Sequence, residues 1–210
     1  MRIFRHRVSA HHVFVAVLLG VSALATLGGM AALTRFDQTA GSAGAAPSRW
    51  PFGSGVRRTD GRAEILVFAH PFCSCTEATV AELRELAVHR NASIRAPHIT
   101  FLFFRPRTSG WVPNALWKAA QSLERASVRW DDDGQEARRF GAEVSGYALL
   151  YSRDGRLLFH GGITGSRGHE GGNYGLDELI HSMNSNRPAH ASTQVFGCAL
   201  GNWGRLAGKS

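Results

Sequence analysis

The feature that most constrains this chain is an apolar stretch without a charged residue between Val13 and Leu33. Its length matches the roughly 20 residues that a helix needs to cross a bilayer. Three arginines precede it, so the positive-inside rule leaves residues 1–12 in the cytoplasm and the rest of the chain outside it. We predict a retained transmembrane anchor over residues 13–34. A cleaved signal peptide is the alternative.

Composition divides the remainder of the chain into three parts. Residues 35–62 are rich in Gly, Ala, Ser and Pro without a period, which is typical of a flexible linker. Residues 63–184 are predicted to form one domain of common size, and residues 185–210 form a polar, Gly-rich tail that contains Cys198. The net charge of +8 comes from scattered basic residues rather than a basic stripe with aromatics. We therefore predict no nucleic-acid partner.

Hydrophobic periodicity in the domain predicts alternating strands and helices. The predicted strands are Glu64–Ala69, His98–Phe104 and Val128–Trp130, and the predicted helices are Thr76–His89, Asn114–Leu123 and Gln135–Phe140. Two apolar runs flank Asp154-Gly155 and predict a β-hairpin, which is followed by a last helix, Leu176–Met183. Parallel βαβ units that end in an antiparallel hairpin indicate an α/β sandwich with a central mixed sheet.

This order of elements is that of the thioredoxin fold. The segment "VRWDDDGQEARRFGAEVSGYALLYSRDGRLLFHGGI" resembles the second half of membrane-tethered thioredoxin-like proteins of the cytochrome-maturation and Sco type, with residues 105–130 as an insertion. "HPFCSC", "GGITGSRGHEGGNYG" and "VFGCAL" together resemble a bacterial group labelled RedB. The resemblance covers residues 63–183. It implies a thioredoxin-like three-layer sandwich in the periplasm, held at the inner membrane by an N-terminal transmembrane helix.

Two positions depart from the family pattern, and both bear on dithiol exchange. The spacing at Cys73 and Cys75 is Cys-x-Cys rather than Cys-x-x-Cys, with Thr76 where the second family cysteine would fall. The position that holds a cis-proline facing the active site in the family aligns with Gly146.

Cys73 lies at the predicted strand-to-helix corner, and Cys75 lies in the first helical turn. Unpaired N–H groups and the macrodipole at a helix N-terminus favour a thiolate, which is the reactive form of cysteine. Cys73 is therefore the candidate nucleophile. A disulfide between the two cysteines would close a very small ring, and we expect such a bond to be labile and oxidising.

Cys198 is a third cysteine in a chain predicted to lie outside the cytoplasm, so one thiol is left without a partner. It could fold back as a resolving thiol for Cys73 or Cys75. The alternative is a purely structural disulfide that staples the tail.

A metal site is the rival interpretation of the same atoms. Soft thiolates select Cu(I) or Zn(II), and an imidazole can complete either site. The Sco-type resemblance implies copper bound by Cys73, Cys75 and a later histidine, for which His169 is the candidate. Cys198 is the alternative third ligand. His70 is interpreted as a strand-end residue that is hydrogen-bonded to the backbone. No other cofactor is predicted.

The Gly-rich loop of residues 161–175 contains no Walker or dinucleotide fingerprint. One hypothesis places it beside the Cys-x-Cys corner, where it supplies Arg167 or His169 to a thiolate or a partner. The other is an inert surface loop. The acidic run 131–133 is interpreted as helix capping rather than a cation site.

Three functions follow as hypotheses. The first is a thiol–disulfide oxidoreductase with catalytic Cys73, Cys75 and Cys198. Its expected partners are exported cysteine-containing proteins and a membrane electron donor. The second is a copper metallochaperone, and the third is a thioredoxin-shaped binding module without catalysis.

Overall fold

A computed structural model describes residues 10–42, 44–90, 96–188 and 192–201, without the side chains of 88–90. The chain divides into two compact units, Met1–Thr39 and Ala40–Ser210. In the first unit, the helix α1 spans Ala10–Gln38 and has no buried residue. By length and composition, α1 could cross a membrane.

The second unit contains a five-stranded mixed sheet in the order β3-β2-β1-β4-β5. The strands are β1 (Glu64–Ala69), β2 (His98–Arg105), β3 (Ala126–Asp132), β4 (Tyr147–Tyr151) and β5 (Leu157–Gly161). The first three strands pair in parallel, whereas β4 is antiparallel to both β1 and β5. The predicted mixed sheet is confirmed.

In the described part of this unit, the helices are α2 (Ser74–Arg90), α3 (Ala115–Gln121), α4 (Gln135–Arg139) and α5 (Tyr174–Ser185). Every predicted strand and helix of this unit is present. The largest differences are at α5 and β3, each of which is two residues longer at both ends than predicted. The apolar pattern limits β3 to Val128–Trp130. Its pairing with β2 runs from Ala126 to Asp132, because backbone pairing continues beyond the apolar centre of the strand.

The central strand β1 is buried on both faces, and alternate side chains enter two cores. Ile65 and Val67 pack with residues of α2, α3 and α5. Leu66 and Phe68 pack with residues of α4 and its flanks on the other face. This arrangement is the three-layer sandwich that the order of elements predicts.

Part of the segment predicted as linker packs on this sandwich. The Trp50 ring lies edge-on to Phe140 and to Tyr151, with both centroid distances 5.2 Å. Val56 is 4% exposed, and the Tyr151 hydroxyl donates a hydrogen bond of 2.9 Å to the carbonyl of Pro47. Large apolar side chains gain free energy by leaving water. They hold residues 47–56 against the domain despite a composition that suggests flexibility.

A buried carboxylate at the start of β1 gives the first testable expectation. Glu64 is fully buried and accepts hydrogen bonds from Thr100 Oγ1 (2.6 Å) and the Thr59 N–H (3.3 Å), with His98 Nδ1 at 2.8 Å. Thr100→Val removes one donor at nearly constant volume and should cost about 1–3 kcal/mol in the free energy of unfolding. Urea denaturation of the full chain in detergent measures this loss. The exposed control Thr108→Val should stay within about 0.5 kcal/mol, and equal stability of the two variants would contradict the assignment.

Candidate functional site

The site begins where β1 gives way to α2. Cys73 directly precedes the helix, and its carbonyl accepts the N–H of Glu77 at 3.3 Å. The same carbonyl accepts the N–H of Thr76 at 3.0 Å, and Cys73 takes the N-cap position at the start of α2. Cys75 follows in the first turn. Cys73 and Cys75 are 2% and 3% exposed, and all three cysteines of the chain are free thiols in this structure.

Thr76 stands where the family has its second cysteine, and it has a structural contact. Its hydroxyl is hydrogen-bonded to the hydroxyl of Ser145, which also accepts the His70 N–H at 2.9 Å. Thr76 and Ser145 are fully buried. This pair fixes the helix start against the segment that enters β4. No local sequence pattern marks Ser145, which is not among the predicted site residues.

The C-terminal tail folds back onto this corner. The Ser145 N–H donates to the Cys198 carbonyl at 2.8 Å, and the Leu200 N–H donates to the Glu143 carbonyl at 2.9 Å. Val144 and Ala199 form an antiparallel bridge between these two bonds. The tail therefore runs as a short strand beside residues 143–145 and brings Cys198 to Cys73.

Cys73 is the acceptor at the centre of the three cysteines. Hydrogen bonds from the Cys75 thiol, from the thiol and N–H of Cys198 and from the Thr76 N–H lower the pKa of Cys73 to about 4, against the opposing effect of burial. These donors stabilise the negative charge of a thiolate. The hydrogen bond to Cys73, burial and the Cys73 charge raise the pKa of Cys75. Burial and Cys73 raise the pKa of Cys198 to about 11.

The Gly-rich loop lies beside the same corner. The Gly168 N–H donates to the Cys75 sulfur, and the Arg167 charge partly offsets the raised pKa values of Cys75 and Cys198. Arg167 Nη1 also donates to the Gly197 carbonyl at 2.7 Å. On the other side, the buried Glu82 of α2 accepts the N–H of Gly171. These contacts favour the hypothesis that the loop serves the corner, through Arg167.

The three residues of the metal alternative are not brought together. His169 is exposed and interacts electrostatically with Glu82, whereas Cys73 and Cys75 are hydrogen-bonded to each other, Cys73 also to Cys198 of the tail and Cys75 to Gly168 of the loop. Within the described ranges, no group of three or more His, Cys, Asp or Glu side chains is arranged to hold a metal ion. The geometry gives no support to Cys73, Cys75 and His169 as copper ligands.

His70 adopts the backbone-bonded role that we predicted. Its Nδ1 accepts the N–H of Phe72 at 3.3 Å, and burial lowers its pKa. Its ring packs against those of Phe72 and Trp111, which also pack on each other at 5.1 Å. Phe72 is 65% exposed, so an apolar surface adjoins the reactive cysteine. Asn114 joins the predicted insertion to this corner through a 2.6 Å bond to the Pro71 carbonyl.

Of the acidic run 131–133, Asp131 caps α4, as predicted. Both carboxylate oxygens of Asp131 accept backbone N–H groups at the helix start, from Glu136 and Ala137, each at 2.8 Å. Burial raises the pKa of Asp131. Asp132 instead forms an ion pair with Arg105 at the end of β2, and Asp133 forms one with Arg107 in the loop that follows β2.

Gly146, at the family's cis-proline position, has a backbone that proline cannot adopt. Its φ is +86°, and no cis peptide bond occurs in the described part of the chain. Its N–H donates to the Phe68 carbonyl at 2.8 Å. Proline has neither this N–H nor a positive φ, so the departure from the family pattern is built into the fold.

Comparisons with known proteins agree with the architecture. No protein-family model and no curated protein matches the sequence. An uncharacterised conserved protein from Geobacillus kaustophilus matches with a TM-score of 0.53 and 16% identity, over 66% of this chain and 76% of that one. Yeast Sco1 matches with a TM-score of 0.44 and 12% identity over 62% and 84% of the two chains. The exposed lipoprotein thioredoxin Etrx1 of Streptococcus pneumoniae gives 0.42 and 13% over 60% and 86%.

Similarity at these identities describes the fold alone. The strand order, with the match to the Geobacillus kaustophilus protein, gives an α/β domain of thioredoxin-like fold with a central mixed sheet. The same chain carries one long apolar N-terminal helix.

Proposed function

We propose that this chain is a membrane-anchored thiol–disulfide oxidoreductase of the RedB-like type, with its thioredoxin-like domain in the bacterial periplasm. The observation that carries the proposal is the position of Cys73 at the start of α2, where Cys75 follows in the first turn and the paired tail brings Cys198 alongside. Hydrogen bonding from these thiols lowers the pKa of Cys73 to about 4, whereas a cysteine kept only for packing has no need of a stabilised thiolate. This environment also argues against a binding module that has lost its chemistry.

The reaction follows from the arrangement of donors. The Cys73 thiolate attacks one sulfur of a client disulfide, forming a mixed disulfide and releasing the other client sulfur as a thiolate. Cys75 or Cys198 then loses its proton and attacks the Cys73 sulfur. The client leaves with two thiols, reduced by two electrons, and this chain keeps one disulfide. A membrane dithiol donor would return it to the reduced state, and the reverse sequence would oxidise a client dithiol.

The raised pKa values of Cys75 and Cys198 fit this order of events. Both depend on the charge of Cys73, which disappears once Cys73 is in a mixed disulfide. The resolving thiol thereby becomes easier to ionise at the step that needs it. A stabilised Cys73 thiolate also favours the reduced form, which makes the intramolecular disulfide a comparatively strong oxidant.

Trapping of a client disulfide tests this function. The full chain in detergent is incubated with an oxidised model peptide containing one disulfide, and products are identified by mass spectrometry after acid quenching. Cys73→Ser should abolish exchange. The double variant Cys75→Ser/Cys198→Ser should accumulate the mixed disulfide at Cys73, because no resolving thiol remains. Comparison of the two single variants identifies the resolving cysteine.

Other outcomes would contradict the proposal. Exchange that persists in Cys73→Ser would show that Cys73 is not the nucleophile. Three unreactive thiols and about one equivalent of copper in protein purified without chelator would instead favour the metallochaperone hypothesis.

A further inference from the structure

The short C-terminal strand beside Cys73 has a specific relation to the reactive sulfur. We call residues 196–200 the arm. Cys73 is 2% exposed although its neighbour Phe72 is 65% exposed and Ser74 is also exposed. The arm contributes both the thiol and the N–H of Cys198 to the Cys73 sulfur. The arm thus packs beside a buried Cys73 while its own Cys198 is exposed, and we expect a client sulfur to reach Cys73 only when the arm moves aside.

The edge under the arm is a backbone edge. It offers one donor, the Ser145 N–H, and one acceptor, the Glu143 carbonyl, which the arm pairs in antiparallel fashion. If the arm leaves, both groups lose their protein partners and are left to hydrogen-bond with water. An extended polypeptide is the ligand that restores both bonds, as in strand addition at other sheet edges.

The side chains of the arm indicate what the edge accepts. Phe196 and Leu200 are 6% and 1% exposed, so apolar side chains fit on either side of the cysteine. At Gly197 there is no room for a larger residue, since a Cβ there would lie 1.9 Å from the Ser145 carbonyl oxygen. The pattern is an apolar residue, a small residue, cysteine, any residue and a second apolar residue.

We propose that the arm is a displaceable intramolecular occupant of the partner-binding edge formed by residues 143–145, and that the partner replacing it is an extended segment with a cysteine flanked by apolar residues. This inference rests on the proposed function for the role of Cys73, but the binding itself requires no redox step.

Gly197→Ala is the test variant, because its added Cβ forces the arm away from the Ser145 carbonyl. Gly172→Ala is the control, since a Cβ there meets nothing within 4 Å. In the full chain, iodoacetamide labelling of Cys73 should be at least about tenfold faster in Gly197→Ala, because local opening no longer limits access. The control should match the native chain within about twofold.

A second measurement addresses the ligand. A fluorescent peptide with the sequence of residues 193–200, carrying serine in place of Cys198, should bind Gly197→Ala more tightly than the native chain. A scrambled peptide should not bind. The peptide cannot form a disulfide, so a chain that binds it but fails in exchange would refute the oxidoreductase and leave the edge proposal standing.

Two results would overturn the edge proposal. Equal labelling of Cys73 in native chain and Gly197→Ala, with unchanged circular dichroism, would show that the arm does not close the site. Faster labelling without peptide binding would show a cover and no binding edge. If Gly197→Ala does not fold, Arg167→Gln removes the bond to the Gly197 carbonyl and is subjected to the same two measurements.

Discussion

Alkylation of Cys73 by iodoacetamide should titrate with a pKa of about 4, far below that of an ordinary thiol. Its rate should be flat above roughly pH 6, because the reactive thiolate fraction is already complete there. Labelling of Cys198, whose pKa is raised to about 11, should still increase in the alkaline range. Mass spectrometry with peptide fragmentation distinguishes Cys73 from Cys75. A Cys73 titration between about pH 8 and 9 would contradict the hydrogen-bonded thiolate.

The hydrogen bond from Cys75 is the largest cause of the low Cys73 pKa, which allows a matched pair of variants. Cys75→Ala removes the donor and should raise the Cys73 pKa by about 1–2 units, since a hydrogen bond to a charged group is worth about 1.5–3 kcal/mol. Cys75→Ser keeps a donating hydroxyl and should leave the pKa close to its native value. If both variants shift equally, the cause is packing rather than the hydrogen bond.

The same thiolate makes stability depend on pH. Between about pH 4 and pH 9 the unfolded Cys73 binds a proton that the folded protein does not, so the free energy of unfolding rises with pH over this range. The stabilisation of the folded protein by the Cys73 thiolate is lost as pH falls through 4. Above pH 9, Cys75 and Cys198 act with the opposite sign, because their pKa values are raised in the folded chain.

The sequence was sufficient for the architecture because each element carries its own signal. The run Glu64–Ala69 is uniformly apolar after its first residue, and its two-faced burial is what a central strand requires. Asp154-Gly155 marks a turn whose glycine adopts φ +80°, which explains why the hairpin could be placed closely. Local propensity and global fold agree at these positions.

The site was predictable only where its determinants are local. The position of Cys73 at a helix start can be predicted from a few neighbouring residues, because the change from a strand pattern to a helix pattern marks the N-cap. The contacts of Cys198 join residues more than fifty positions apart, and no periodicity specifies them. Ser145 and Glu82 were missed for the same reason, since their partners lie on other elements. His169 was proposed from a family resemblance, which does not determine the path of a loop with so many glycines.

Gly146 shows how far the local backbone departs from the family pattern. Its positive φ places it next to α2 and the tail, where a Cβ would lie 3.2 Å from Thr79 Oγ1 and 3.4 Å from the Phe196 carbonyl oxygen. The Thr79 hydroxyl in turn donates to the Cys75 carbonyl at 2.9 Å. A residue at position 146 therefore acts on the first turn of α2 and on the tail at once.

Introducing the family residue by Gly146→Pro should therefore damage this protein. Proline cannot adopt φ +86° and lacks the N–H that donates to the Phe68 carbonyl, so the free energy of unfolding should fall by about 3 kcal/mol or more. Gly146→Ala keeps the N–H and should cost about 1–2 kcal/mol for its left-handed backbone. Urea denaturation measures both losses. Gly110→Ala is the control, because a Cβ there meets nothing within 4 Å, and it should change stability by less than about 1 kcal/mol.

A Gly146→Pro chain as stable as the native one would mean that the segment entering β4 accepts the family's backbone. The glycine would then not be what separates this corner from the Cys-x-x-Cys proteins. If the loss is found, the Cys-x-Cys spacing, the tail and Gly146 form one coupled arrangement, and changing one of them alone cannot restore the family's geometry.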